Sequence, residues 1–235
     1  MSLLQVILTS SRRNGKESMT ENENLGFEFT PLSGSADSLC VMIHGYGADG
    51  SDMIAVAAEM STFLPNTHFM APNGPEPCPT APGYYQWYSF GGGRQGADLG
   101  AANVAPLINR YADIQLERLG LKDDRLIMLG FSQGGGIMIE AAIRRPRTCA
   151  ALLCFTSAIR NRDKLADEIT ARPPTMLIHG ELDEAVPIRH VFNTAQLLEE
   201  QGVSVRYHIC PGIGHTLNEE GACMGAMFIS EMLEE

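Results

Sequence analysis

The chain has 235 residues, with 17 lysines and arginines against 28 aspartates and glutamates, for a formal net charge of −11 at pH 7. That length can bury a substantial core without disulfides or metals. The acidic balance argues against partners that need a broad basic face, nucleic acid and anionic membrane among them, and leaves a small or neutral substrate. Six cysteines (Cys40, Cys78, Cys149, Cys154, Cys210, Cys223) form no CxxC pair and no His–Cys spacing suited to zinc. Most of them sit in apolar runs, as free thiols do in a reducing, cytoplasmic compartment.

The opening "MSLLQVILTSSRR" is too short in its apolar stretch for a signal-peptide core, and its arginines stand on the wrong side. No later segment reaches the length of an apolar membrane span. Residues 1–24 are expected to form a flexible leader, with Met19 an alternative start to Met1, and residues 25–235 a single α/β domain.

Strands are predicted at "SLCVMIHG" (38–45) and "THFMAPN" (67–73), followed by a long loop over 74–96 rich in proline, glycine and aromatics. A loop of that length inside a compact domain is usually functional. Helical spacing covers 96–121, where Pro106 is expected to kink the helix or start a new one. Then come the strand "RLIMLGF" (125–131), the helix 134–145 and the strand "CAALLCFTSA" (149–158). The connection 158–174 has room for one short helix and none for a lid domain. The strand "TMLIHGELD" (175–183), the helix 188–202, the strand "VSVRYHICPG" (203–212) and the helix 218–233 complete the chain. These strands are nearly continuous in apolar character, which predicts a mostly parallel sheet with helices on both faces.

Ser132 stands in "LGFSQGG" (129–135), directly after a strand and before a helix, the context of a nucleophile elbow. Gly130 and Gly134 lack the Cβ atoms that would clash in so tight a turn, and the helix offers its positive end to a developing negative charge. A serine hydroxyl needs a base, and the base an orienting acid. Asp183 in "HGELDEAVP" and His215 in "PGIGH" follow the next strands, so all three should meet at the carboxyl edge of the sheet. Gln133 and Tyr46, the latter in "HGYGADG" (44–50), are the candidates to donate backbone N–H groups to an oxyanion.

The blander readings are an ordinary glycine turn at 44–50 and histidines that merely pack. His44 and His179 are expected to hydrogen-bond backbone, while His68, His190 and His208 have no special setting; Asp163, Asp167, Asp123 and Asp124 look solvated. Trp87, the single tryptophan, either walls an acyl groove or anchors the long loop in the core.

Taken together, "HGYGADG", "APNGP", "QWYSF", "GFSQGG", "HGELDEAVP" and "GIGH" resemble, in order and spacing, the phospholipase/carboxylesterase family of α/β-hydrolases, which includes acyl-protein thioesterases. The resemblance spans roughly residues 36–233. It implies an α/β-hydrolase domain, a Ser132, Asp183, His215 triad with Tyr46 and Gln133 at the oxyanion, and hydrolysis of esters or thioesters without metal or organic cofactor. It also implies a cytoplasmic protein, often a homodimer. Ser89 stands where the family often has an acidic residue, which weakens transfer of substrate preference. A peptidase on the same fold and a non-catalytic binding module are the alternatives.

Overall fold

The structure, a computed structural model, describes residues 26–234; the expected leader and the choice of start lie outside the described residues. Its strands are β1 (Phe27–Phe29), β2 (Ser38–Ile43), β3 (Thr67–Ala71), β4 (Glu76–Pro77), β5 (Tyr85–Gln86), β6 (Leu126–Phe131), β7 (Ala151–Phe155), β8 (Thr175–Gly180) and β9 (Val205–Cys210). Its α-helices are α1 (Gly50–Met60), α2 (Gly93–Leu119), α3 (Gln133–Ala142), α4 (Leu165–Glu168), α5 (Arg189–Glu199) and α6 (Glu219–Glu234).

Seven strands form one sheet in the order β1-β3-β2-β6-β7-β8-β9, parallel throughout except for β1, which runs antiparallel to β3 along one edge. The residues of β2, β3 and β8 are wholly buried, as the continuous apolar runs require of strands covered on both faces. Along β9, the other edge, burial is only partial. Each face carries its own core: α2, α3 and α5 pack Ile108, Ile137 and Val191 against one, and α1 and α6 pack Met53, Ala57 and Phe228 against the other. Among the described residues no helix is long and apolar enough to cross a membrane.

The structure departs from the sequence expectations in several places, the edge strand β1 among them. Helix α1 was not foreseen. It starts on a capping box, with Asp49 accepting from the Asp52 amide and Asp52 from the Asp49 amide, and it buries Met53, Ala57 and Met60 on one face. The long loop contains the β4–β5 hairpin, and α2 begins at Gly93. Pro106 starts no new helix; α2 runs through it, and the position is exposed to solvent.

Asp123 is not solvated. It is buried, and one oxygen accepts from Arg145 Nη2 at 2.6 Å while the other accepts from Arg147 Nε. Arg145, itself buried at the end of α3, also reaches Asp113 at 2.6 Å and Asn109 at 3.1 Å. Burial pushes the Asp123 carboxyl up, but the hydrogen bonds and charges of the two arginines outweigh it and hold the group below the usual carboxylate range. A depressed carboxyl contributes stability above its unfolded pKa and loses it as the pH falls through the folded one. Asp123→Ala, which strands part of a buried cation, is therefore expected to cost about 3 kcal/mol at neutral pH. The difference in melting temperature from the native protein should narrow in acid, below about pH 4. Thermal melts at both pH values check this; a difference independent of pH would contradict the ion-pair account.

Candidate active site

Ser132 joins β6 to α3 with φ 54° and ψ −113°, a conformation that side-chain-bearing residues rarely adopt. Such strain costs on the order of 1–3 kcal/mol and persists only where the surroundings impose it. Here the Ser132 amide donates to the Phe155 carbonyl at 3.0 Å, and its carbonyl accepts from the Gly136 amide at 3.2 Å. The flanking glycines are obligatory. A Cβ on Gly130 would stand 2.5 Å from the Gly134 oxygen, and one on Gly134 would stand 2.3 Å from the Ile43 oxygen. Every residue of α3 is buried, so the helix cannot move aside to relieve either clash.

The structure brings the other two expected residues to the same place. His215 Nε2 lies 2.9 Å from Ser132 Oγ, and its Nδ1 lies 2.8 Å from Asp183 Oδ2. Because a carboxylate only accepts, Nδ1 carries the proton and Nε2 presents a lone pair to the serine hydroxyl. The Asp183 side chain is fully buried, and its second oxygen accepts from the Ala185 and Val186 amides at 2.9 and 2.8 Å. The loops bearing Asp183 and His215 are bonded together: Leu182 N–H donates to the Ile213 carbonyl at 2.8 Å and Gly212 N–H to the Glu181 carboxylate at 2.9 Å. Gly180 permits this approach, since a Cβ there would fall 2.3 Å from the Gly214 oxygen. The His215 side chain keeps about a quarter of its surface open (26%), so a substrate can reach the pair.

Gln133 N–H is the first donor of α3, where a helix offers amides without intrahelical partners. Among the described residues no acceptor is bonded to the Tyr46 N–H either. Both amides thus stand without an acceptor among the described residues. The loop carrying Tyr46 is tied down on several sides. Gly47 N–H donates to the Tyr85 carbonyl and Tyr85 N–H to the Ala48 carbonyl. The Trp87 indole N–H donates to the His44 carbonyl at 2.9 Å, and His44 Nε2 accepts from the Gly74 amide at 2.9 Å.

Trp87 is 5% exposed and packs against the His44 ring at 5.1 Å, which suits the reading of a loop anchor. The Gln133 side chain completes the clamp: its carbonyl accepts from Trp87 N–H at 2.9 Å and its amide donates to the Tyr88 carbonyl at 2.8 Å. His44 Nδ1 lies 2.7 Å from the Gly45 carbonyl, which fixes the tautomer in which Nε2 accepts. Burial holds the His44 pKa below its ordinary value and keeps this arrangement neutral.

His179 Nε2 donates to the Val186 carbonyl at 2.7 Å and stands 3.6 Å from Asp183 Oδ2, bracing the loop that holds the carboxylate. His68 and His208 do have settings: hydrogen bonds with Glu28 at 3.0 Å and Glu220 at 2.7 Å. His190 is half-buried among cations. His44 and His179 bond backbone as their sequence setting predicts, whereas the clamp made by the Gln133 side chain was not foreseen. For the histidines the signal was that each ends a strand before glycine. For a metal, the candidate trio among the described residues is His208, Cys210 and Glu220, with ligand atoms within 4.8 Å of one another. The histidine already pairs with the glutamate, and burial beside that carboxylate pushes the Cys210 thiol up, away from the thiolate a metal needs. The trio is accounted for without an ion.

A mostly parallel sheet in this strand order, with a strained strand-to-helix serine and the following strand-end loops gathered beside it, has the α/β-hydrolase architecture. A family model described as phospholipase/carboxylesterase matches residues 30–233, and the chain belongs to that family of ester and thioester hydrolases. Among similar solved structures, esterase PE8 superposes with a TM-score of 0.85 at 33% identity, covering 89% of this chain and 99% of that one. Acyl-protein thioesterase 1 of Debaryomyces hansenii is 24% identical over 216 residues, 85% of this chain and 93% of the relative. Acyl-protein thioesterase 1 homolog 1 of Dictyostelium discoideum is 26% identical over 207 residues, with 82% and 89% covered.

Proposed function

We propose that the protein cleaves carboxylic esters or thioesters through Ser132, His215 and Asp183 by way of an acyl-enzyme. The observation that carries this reading is the 2.9 Å contact between His215 Nε2 and the hydroxyl of a serine held at φ 54°, with a buried carboxylate on the other ring nitrogen. As Ser132 Oγ bonds to the acyl carbon, its proton passes to Nε2 and the carbonyl π electrons move onto oxygen, where the Gln133 and Tyr46 amides receive the charge. Collapse breaks the C–O or C–S bond, and His215 returns the proton to the leaving group. Water then repeats the sequence on the acyl-enzyme, with His215 as base, and releases the acid. Asp183 orients the imidazole and stabilises its cation.

The 158–174 connection contains only α4 and a single turn of tighter helix, so it holds no lid domain over the serine. The exposed Phe90 ring, 5.2 Å from Tyr46, flanks the site and suits a medium acyl chain or a bulky leaving group such as a protein or a lysophospholipid. All six cysteines are free, which accords with a cytoplasmic setting.

The test is hydrolysis of p-nitrophenyl esters from acetate to palmitate, and of matching thioesters, across a range of pH. Activity should peak at one chain length. It should also fall in acid, because a protonated Nε2 cannot accept from Ser132. Turnover restricted to acetates, or a rate flat through mild acid in a chemistry-limited assay, would contradict the reading.

The clamp has a kinetic consequence. Trp87→Phe keeps the ring but removes the indole N–H that holds the His44 carbonyl beside Tyr46. One such bond is worth about 1–1.5 kcal/mol, so kcat should fall by about tenfold with KM little changed. A rise in KM alone would instead mark Trp87 as a substrate contact.

A further inference from the structure

Beside the elbow, on the loop that follows β7, stands a cation that the triad does not use. The Arg160 side chain lies across the first turn of α3, with Cγ and Nε 3.4 Å from the place where a Cβ on Gly136 would stand. Gly136 is itself bonded to the Ser132 carbonyl, so the guanidinium stem runs within one helical turn of the nucleophile. Arg160 Nε is buried and without a hydrogen-bond partner among the described residues, and the Tyr88 hydroxyl, also buried, has only the Arg160 guanidinium beside it. The two groups are neighbours: burial pushes the tyrosine hydroxyl up, the charge and hydrogen bonding of Arg160 pull against it, and the more distant Asp98 and Glu140 charges add to the upward push. A buried donor left without an acceptor costs about 1–3 kcal/mol, a cost that a bound acceptor removes.

The acidic groups around this corner are engaged elsewhere. Asp98 pairs with Arg94 at 3.4 Å, Asp163 with Arg94 at 3.3 Å, and Glu140 with Arg144 and Asn161, each at 3.0 Å. Among the described residues no carboxylate oxygen lies within 4.0 Å of Arg160 or Arg189. Nearby, His190 on α5 is held below its ordinary pKa by burial and then by its neighbours, the cations Arg189, Arg160 and Arg162 among them. In a chain of net charge −11, Arg160 and Arg189 are thus cations on this side of the site without a carboxylate paired to them among the described residues.

We propose that Arg160, assisted by the Tyr88 hydroxyl, forms an anion subsite beside Ser132 that selects esters or thioesters carrying a carboxylate or phosphate group. The inference rests on the hydrolase reading above. A guanidinium donates in a fork that matches either anion, and at a position partly shielded from water such a bond is roughly twice as strong as a neutral one.

The test compares kcat/KM within two matched pairs: mono-p-nitrophenyl glutarate against p-nitrophenyl valerate, and lysophosphatidate against the monoacylglycerol of the same acyl chain. The native protein is expected to favour the charged member of at least one pair, with a preference that weakens as salt is added. A preference within the first pair places the anion on the acyl side, and one within the second places it on the leaving group. In Arg160→Gln the charged-to-neutral ratio should drop by about tenfold or more, and Arg160→Lys should restore part of it. Equal rates within both pairs for the native protein, or a ratio unchanged in Arg160→Gln, would overturn the subsite. Should Arg160→Gln fail to fold, the Arg160→Lys ratio and the native salt dependence decide the matter. The hydrolase reading fails separately, if the neutral esters are not cleaved or if Ser132→Ala cleaves them as fast.

Discussion

Ser132→Ala is expected to lower kcat for ester hydrolysis by about four to six orders of magnitude, leaving only the residual acceleration that substrate binding and the oxyanion amides supply. The substitution removes the atom that forms the acyl-enzyme, and among the described residues no other hydroxyl is hydrogen-bonded to His215 Nε2. Folding should survive. The strained φ of 54° is imposed by the strand, the helix and the flanking glycines, and alanine has no larger Cβ than serine. The rate and the thermal melt are measured on the same preparation. A variant that melts like the native protein but keeps a tenth or more of its activity would move the chemistry away from the elbow.

Asp183→Asn is expected to cost about 10⁴ in kcat while leaving the fold intact. The reason is the local hydrogen bonding. One Asp183 oxygen accepts from two backbone amides, at 2.9 and 2.8 Å, so the carboxamide of asparagine must direct its oxygen there and its NH2 toward His215 Nδ1. That nitrogen must then accept instead of donate, which moves the ring proton to Nε2, facing Ser132. The base would have its proton on the wrong side. A loss of less than tenfold would mean that Asp183 does not set the tautomer, and that another acid supports His215.

The three residues of the candidate triad are legible in the sequence for one physical reason. Each follows a continuous apolar run, and a parallel sheet delivers the ends of such runs to a common edge. The register does this in practice, pairing Phe131 with Phe155 and Phe155 with Ile178 at the edge where Ser132 and the next loops emerge. What escaped the reading depended on tertiary contacts. Asp123 looks like half of a solvated acidic pair until Arg145 and Arg147 are brought to it from 22 and 24 residues away. Trp87 could not be assigned from its loop, because its partner is the backbone carbonyl of His44, 43 residues earlier. Helix α1 carried a local signal in the Asp49–Asp52 box, but that box adjoins a glycine-rich turn that reads as loop. The Arg160 corner had no sequence signal at all, since an arginine without a carboxylate partner is recognised only when its neighbours are known.

The most direct measurement is labelling of the folded native protein with a fluorophosphonate probe, followed by mass-spectrometric location of the adduct. Phosphonylation requires an activated serine in a working oxyanion site, so the account predicts one stoichiometric adduct, on Ser132, lost in Ser132→Ala and abolished by denaturation before labelling. A folded protein that takes up no label, or takes it up on another residue, would contradict the assignment of Ser132, His215 and Asp183 as the catalytic centre.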